Sequence, residues 1–250
     1  MISYTHNLLQ LHFGEQNVDK NLTTLTKSQP LNFSANYPQT NEPKPTASQT
    51  CQDPTLYIIL ASTSKIRSTI LKNAGVPFTT EDSKLNEAAA KHSMADRSAK
   101  AQAMSLAELK AVRVSQRLPK ELVIGADQTL GLGSKAFDKP NSLQETREQL
   151  LALRGKTHTL HSALACAIEG KTVWTFCGDA MLTMRNFSEP FLDHYLTATA
   201  DSYACSVGGY KLEEQGINLF EKIEGDYFTI LGLPLLPLLS FLRLQKLVMT

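Results

Sequence analysis

No arginine occurs before Arg67, and no apolar run approaches the roughly 18 residues that a membrane-spanning helix needs. The most apolar stretch, Leu231–Leu242, is short and broken by Gly232, Pro234 and Pro237, which fits a buried C-terminal helix. Cysteine is scarce: Cys51, Cys166, Cys177 and Cys205 form neither a CxxC pair nor a Cys/His metal pattern, so structural zinc is not expected and free thiols in a reducing cytosol are. Charge of one sign is also missing. Twenty-five basic residues against 24 acidic ones give +1, which predicts no general affinity for nucleic acid or membrane surfaces. No G-x-G-x-x-G, Walker loop or G-x-S-x-G elbow occurs, and that argues against a dinucleotide-binding domain, a P-loop enzyme and a serine hydrolase. Trp174, the only tryptophan, reads as core or hairpin face.

Residues 1–54 differ from the rest. Twenty-three of them are Ser, Thr, Asn or Gln and five are Pro, which predicts a poorly ordered polar tail before a folded domain at 55–250. The opening MISYTHNLLQLHFGE lacks a basic region followed by an apolar block, so it does not read as a secretory signal, and the expected location is the cytoplasm.

The folded part is organised around Leu56–Gly75. Leu56–Leu60 is apolar on both faces, as in a sheet buried on both sides, and Ile66, Ile70, Leu71 and Ala74 follow at helical spacing. Ser62, Thr63 and Ser64 lie at the junction, with Arg67 in the first helical turn. A strand delivering a helix N-terminus lined with hydroxyls is a ready anion site, although an ordinary capped helix with a surface arginine fits the stretch as well.

Further along, Val76–Thr80 is extended and a helix is expected over Ala95–Arg117. The strand Glu121–Ala126 is expected to stop at Asp127, and Leu130–Lys139 reads as a loop or tight hairpin. Ser142 and Glu145 form an S-x-x-E capping box for a helix ended by Gly155. Lys156–Ile168 and Thr172–Arg185 read as strands joined at Glu169-Gly170-Lys171, Ser188 starts a short helix, and Ile217–Ile223 precedes a turn at Gly225-Asp226. Strands alternating with helices indicate an α/β fold with function at strand C-terminal ends.

Asp127 is the strongest chemical candidate, because a carboxylate at a strand end can hold Mg²⁺ or Mn²⁺ or activate water; a turn or capping Asp is the plainer alternative. Lys139, Lys110 and Glu87 mean little singly, and a mid-helix Lys110 reads by default as a snorkelling side chain. Strand spacing puts His158 and Ser162 on one face and His161 on the other, so the two histidines cannot easily chelate one metal. Together the residues suggest an anion site with one well-placed carboxylate and several lysines, suited to a divalent metal and a polyphosphate.

Five blocks in order, ASTSKIRSTIL at 61–71, IGADQ at 124–128, DKP at 138–140, LRGKTH at 153–158 and GDYFTILGLPL at 225–235, resemble the Maf family of nucleoside triphosphate pyrophosphatases over residues 55–243. The resemblance implies a twisted mixed β-sheet flanked by helices, with two lobes around a cleft. It also implies cleavage of a nucleoside triphosphate to the monophosphate and pyrophosphate with a divalent metal, Mg²⁺ or Mn²⁺, in a protein that is often a homodimer. By position, Asp127 matches the essential acidic residue, Ser62 and Arg67 the phosphate loop, Lys110 and Lys139 the phosphate-side lysines, and Glu87 a metal ligand beside Asp127. Gln128 and Glu213 stand where base-selective residues lie, in a pattern resembling the subgroup acting on 7-methyl-GTP. Ile66 stands where many relatives carry an arginine, which leaves a non-catalytic nucleotide-binding regulator linked to septum formation as the alternative.

Overall fold

The computed structural model describes residues 57–200 and 206–249. The expected 1–54 tail therefore lies outside the described residues. The chain runs β1 (Ile58–Ala61), α1 (Lys65–Asn73), β2 (Thr79–Thr80), α2 (Glu87–His92), α3 (Ala99–Arg117), β3 (Leu122–Leu132) and β4 (Lys135–Phe137). It continues through α4 (Leu143–Leu153), β5 (Thr157–Ile168), β6 (Lys171–Met184), α5 (Glu189–Ala198), β7 (Phe220–Glu224), α6 (Tyr227–Ile230) and α7 (Leu235–Leu244). One seven-stranded mixed sheet has the order β2-β1-β3-β5-β6-β7, with β4 also pairing β3. β1 is parallel to β2 and β3, and all other pairings are antiparallel. The expected α/β fold is borne out.

Each face of the sheet is covered differently. On one face α3 lies across β3 and β5, with Ala103, Ala107, Ala111 and Val114 against Ile59, Val123, Ala163 and Ala165. Small residues on both sides let the helix approach closely. Gly125 shows how closely, since a β-carbon there would stand 2.1 Å from the Ala107 carbonyl oxygen and 2.7 Å from the Ala111 nitrogen. The other face carries two apolar clusters. One packs β1, the first half of β3 and the second half of β5 under α1 and α7, and it takes in Trp174, whose ring stacks on Phe241 at 4.9 Å. The second gathers Leu130, Leu160, Leu182 and Met184 under α4, α5 and Tyr210. Between them the sheet turns polar: Gln128 faces Ser162, and Ser162 faces Gly178 across the next strand. This band divides the two apolar clusters.

Two expectations are corrected. β3 does not stop at Asp127 but runs on to Leu132, because its second half pairs with β5 on one edge and with β4 on the other. The hairpin at Leu132–Lys135 is the tight turn the glycines suggested, with Gly133 at φ +59°. The helix expected over Ala95–Arg117 starts only at Ala99, after its N-cap Ser98, while the stretch before the Gly225-Asp226 turn is a 3-10 turn over Gln215–Leu219 followed by β7. A short helix, α2, was not foreseen; Asn86 caps it by accepting from the Ala89 N–H at 3.0 Å. The capping box at Ser142 holds, with Ser142 Oγ accepting from the Glu145 N–H at 3.1 Å.

Candidate functional site

β3 has a gap along one edge. β1 pairs with it as far as Ala61↔Gly125, and β4 picks it up again at Leu130↔Phe137, while β5 covers the opposite edge from Val123 to Gly131. The backbone of Ala126–Thr129 is therefore open on the β1/β4 side. β1 ends beside this gap and leads into Ser62 and α1; β4 ends beside it and leads into Lys139. Strand ends meeting at such a break are where open α/β sheets place ligands.

Arg67 reaches into the gap from α1. Its Nη1 donates to the Ala126 carbonyl at 3.0 Å and to Ser62 Oγ at 3.4 Å, and its Nε donates to the Gly232 carbonyl at 2.8 Å. Burial pulls the guanidinium below its ordinary pKa, opposed by the charges of Asp127 and Glu87. Ser62 Oγ also accepts from the Ser64 N–H at 3.2 Å, and Ser64, the N-cap residue of α1, makes no side-chain capping bond. The first-turn N–H groups of α1 are thus left without a hydroxyl partner.

From the other face, Asp127 points at α3. Lys110 Nζ donates to Asp127 Oδ1 at 2.7 Å and sits 2.8 Å from Glu87 Oε1 on α2. Asp127 is 6% exposed and Lys110 7%, so this is a buried pair and not a snorkelling lysine, while the Glu87 side chain is half exposed. Burial alone would raise the Glu87 pKa, but the hydrogen bond and charge of Lys110, with Lys91 and Lys139, bring it below the ordinary carboxylate value. Lys139 has no hydrogen bond or ion pair among the described residues. Its pKa is lowered by partial burial and by repulsion from Arg67 and Lys110. Around it, Gln149 Nε2 donates to the Asp138 carbonyl at 3.1 Å, and the Asp138 carboxylate pairs with Lys91 on α2.

The sequence-expected residues therefore divide. Ser62, Arg67, Lys110, Asp127, Glu87 and Lys139 converge. Gln128 does not join them directly, because strand alternation turns it to the opposite face from Asp127. Its Nε2 donates to Ser162 Oγ at 2.9 Å, to the Thr229 carbonyl at 3.2 Å and to the Ile230 carbonyl at 2.9 Å. Glu213 is an exposed residue in the turn after Tyr210, without a hydrogen bond or ion pair among the described residues. The two histidines are separated as the spacing required. His158 Nε2 shares a 2.7 Å hydrogen bond with the Tyr210 hydroxyl, whereas His161 Nδ1 lies 2.8 Å from Asp179 on the α3 side.

The expectations missed the residues that hold this site in place. Gln149 and Ser162 lay in no motif, and Thr229 and Gly232 fell within the 225–235 block without a role assigned to either; the strand period at Gln128–Ser162 and that block were the usable signals.

Residues 57–245 match the Maf-like protein family. The chain is 53% identical over 187 residues to a nucleoside triphosphate pyrophosphatase of Paramagnetospirillum magneticum, covering 74% of this chain and 96% of the relative. It is 50% identical over 190 residues to a nucleoside triphosphate pyrophosphatase of Caulobacter vibrioides, covering 75% and 95%. It is 46% identical over 194 residues to a 7-methyl-GTP pyrophosphatase of Brucella abortus, covering 77% and 98%. With the five sequence blocks falling on β1–α1, β3, the end of β4, the α4–β5 junction and α6–α7, and with this match across the whole sheet, the chain belongs to the Maf-like protein family.

Proposed function

We propose that the protein hydrolyses a nucleoside triphosphate to the monophosphate and pyrophosphate, with residues 55–250 as the catalytic domain. The observation that carries this reading is the convergence of a buried carboxylate, Asp127, with three cations at one break in the sheet. Cleaving a phosphoanhydride needs little covalent chemistry; it needs phosphate charge offset and a water held in line. Arg67, Lys139 and the open N-terminus of α1 supply positive potential for the phosphates. Lys110 holds Asp127 by Oδ1, so the second carboxylate oxygen takes the proton of the attacking water. The new bond joins that water's oxygen to the α-phosphorus, and pyrophosphate leaves.

The residues fit a divalent cation of the Mg²⁺ or Mn²⁺ kind. Glu87 and Asp127 are hard oxygen donors, and among the described residues no group of three or more His, Cys, Asp or Glu side chains forms a closed cage. Mg²⁺ is typically held by one or two carboxylates with phosphate oxygens completing the set. Such an ion supplies charge neutralisation on the phosphates and polarises the bond that breaks.

For the base, the reading favours 7-methylguanine. The exposed, unpaired Glu213 carboxylate can accept from the N–H groups of a guanine edge, and relatives such as the Brucella abortus protein carry the name 7-methyl-GTP pyrophosphatase. The regulator alternative loses its motive: Ile66 packs with the apolar cluster of α1 and α7, a place where no guanidinium is needed.

Purified protein with Mg²⁺ or Mn²⁺ is expected to release pyrophosphate from a panel containing 7-methyl-GTP, dTTP and UTP, and Asp127→Asn to abolish the release. Truncation to residues 55–250 is expected to leave turnover intact. Inorganic phosphate as the product, or no product from any nucleotide, sinks the reading.

A further inference from the structure

The helix α2 carries Glu87, one of the two proposed cation donors, yet none of its residues is buried. The chain on either side of it is pinned. Before it, Arg117 donates to the carbonyls of Asp82 at 2.6 Å and Ser83 at 3.5 Å. After it, Gln102 Nε2 donates to the carbonyls of Met94 at 3.3 Å and Arg97 at 3.1 Å, and the Met94 side chain is buried. Between these anchors, two ion pairs join α2 to the site. Glu87 lies 2.8 Å from Lys110, and Lys91, one turn further along the same side of the helix, pairs with Asp138. Asp138 precedes Lys139, and its own carbonyl accepts from Gln149 of α4 at 3.1 Å. Lys91 therefore links the helix that carries Glu87 to the segment that carries Lys139.

We infer that Lys91 is a positioning residue for Glu87: its pair with Asp138 keeps α2 in place when the Glu87 carboxylate turns from Lys110 to a cation. A carboxylate that ligates a cation weakens its bond to Lys110, and Lys91–Asp138 is then the ion pair that still holds the helix. Such a latch is distinguishable from a simple charge effect, because the two act in opposite directions. The Lys91 ammonium is close enough to Glu87 for its charge to help hold that carboxylate below its ordinary pKa. Removing a positive charge from beside a cation site tightens the site by Coulomb's law, whereas removing a latch that positions a ligand loosens it. The inference rests on the proposed metal-dependent pyrophosphatase reading for its kinetic consequence alone. The hold on α2 belongs to the protein by itself.

Two measurements on full-length protein test it. In the first, amide hydrogen exchange of the peptide spanning α2 is followed by mass spectrometry without metal or nucleotide. The Lys91 side chain is 25% exposed and that of Asp138 69%, and an exposed pair of this kind shifts an opening equilibrium by a factor of about three. Lys91→Met and Asp138→Ala are each expected to exchange about threefold faster in α2 and at the wild-type rate in α4, and Lys91→Arg, which keeps the pair, to match wild type throughout. An α2 rate unchanged in both pair-breaking variants overturns the inference. In the second, the Mn²⁺ concentration giving half-maximal pyrophosphate release from 7-methyl-GTP is measured. Lys91→Met is expected to raise it about threefold, the loss being made up at saturating Mn²⁺. A lowered value assigns Lys91 a charge effect alone and overturns the inference, as does an unchanged one. If Lys91→Met does not fold, as judged by circular dichroism, Lys91→Gln is read the same way. Failure of the pyrophosphatase reading shows in the wild type, as no pyrophosphate from any nucleotide, and leaves the exchange measurement to decide on Lys91.

Discussion

Removing the Lys110 ammonium should cost far more stability than removing the Asp127 carboxylate, although the two form one pair. Lys110 has two carboxylate partners, Asp127 Oδ1 at 2.7 Å and Glu87 Oε1 at 2.8 Å, whereas the only side-chain hydrogen bond of Asp127 among the described residues is to Lys110. In Lys110→Met, Asp127 remains as a buried, unpaired carboxylate at 6% exposure. Breaking such a pair from one side costs about 3–5 kcal/mol. In Asp127→Leu, Lys110 keeps Glu87, which reaches solvent, so the loss is limited to about 2 kcal/mol for one charged hydrogen bond. Replacing both with apolar side chains removes the stranded charge, and Lys110→Met/Asp127→Leu is expected within about 1 kcal/mol of wild type. The assay is urea unfolding at pH 7.5 followed by far-ultraviolet circular dichroism, with equal m-values confirming a common unfolded state. Losses that simply add in the double variant, or a Lys110→Met loss below about 1 kcal/mol, would show that the pair is solvated and refute the buried-pair geometry.

Acid should expose His158. Burial lowers its pKa to about 4, against about 6.5 in the unfolded chain, so between these values the unfolded state binds the extra proton and stability falls as pH falls. The full effect is about 3 kcal/mol, and urea unfolding between pH 4.5 and 7 should show His158→Gln with a flatter profile than wild type; an identical slope would remove His158 as the cause. Gly125→Ala should push α3 off the sheet, since the new β-carbon would stand 2.1 Å from a backbone oxygen. A loss of about 3 kcal/mol together with lost turnover is expected, because Lys110 withdraws from Asp127 with the helix. Gly75→Ala is the control: its φ is +69° but no atom lies within 4 Å, so about 1 kcal/mol and normal turnover are expected in urea unfolding and pyrophosphate release. Equal losses in the two variants would refute the close-approach argument.

What could be read from the sequence followed how local each signal is. The Ser142–Glu145 cap, the hairpin between β5 and β6 and the β1–α1 unit are encoded in contiguous residues, and each was legible. The extent of β3 was not. Gly131 and Gly133 read as loop punctuation, yet Gly131 is a strand residue whose missing side chain makes room for Ala99 of α3, 3.2 Å from where its β-carbon would be. The pairing that continues the strand comes from β5 and β4, which no local pattern in QTLGL reveals. Gln128 entered as a candidate substrate contact through the family resemblance; the continued strand, with its period of two, turns its side chain to the opposite face of the sheet from Asp127. Lys110 was misread for a different reason. A lysine on a helix face of Ala103, Ala107 and Ala111 looks like a snorkelling side chain until the carboxylates that neutralise it are brought in by β3 and α2.

Under the proposed reading, the partners of each cation determine what the site still needs. Arg67 gives three of its hydrogen bonds to the protein itself, at Ala126, Ser62 and Gly232. Lys110 is held between two carboxylates. Lys139 alone of the three makes no hydrogen bond or ion pair among the described residues, and burial, joined by the repulsion of the other two, lowers its pKa. Arg67, Lys110 and Lys139 against Glu87 and Asp127 leave one net positive charge, while a triphosphate brings several negative ones. The protein by itself therefore cannot neutralise its substrate. The deficit lies beside Glu87 and Asp127, the donors suited to a divalent cation. Lys110 can serve there as the counter-charge that keeps two neighbouring carboxylates ionised before substrate arrives. In that arrangement Lys139 is the cation that gains a partner when phosphate binds, and Arg67 is the one that is already aimed.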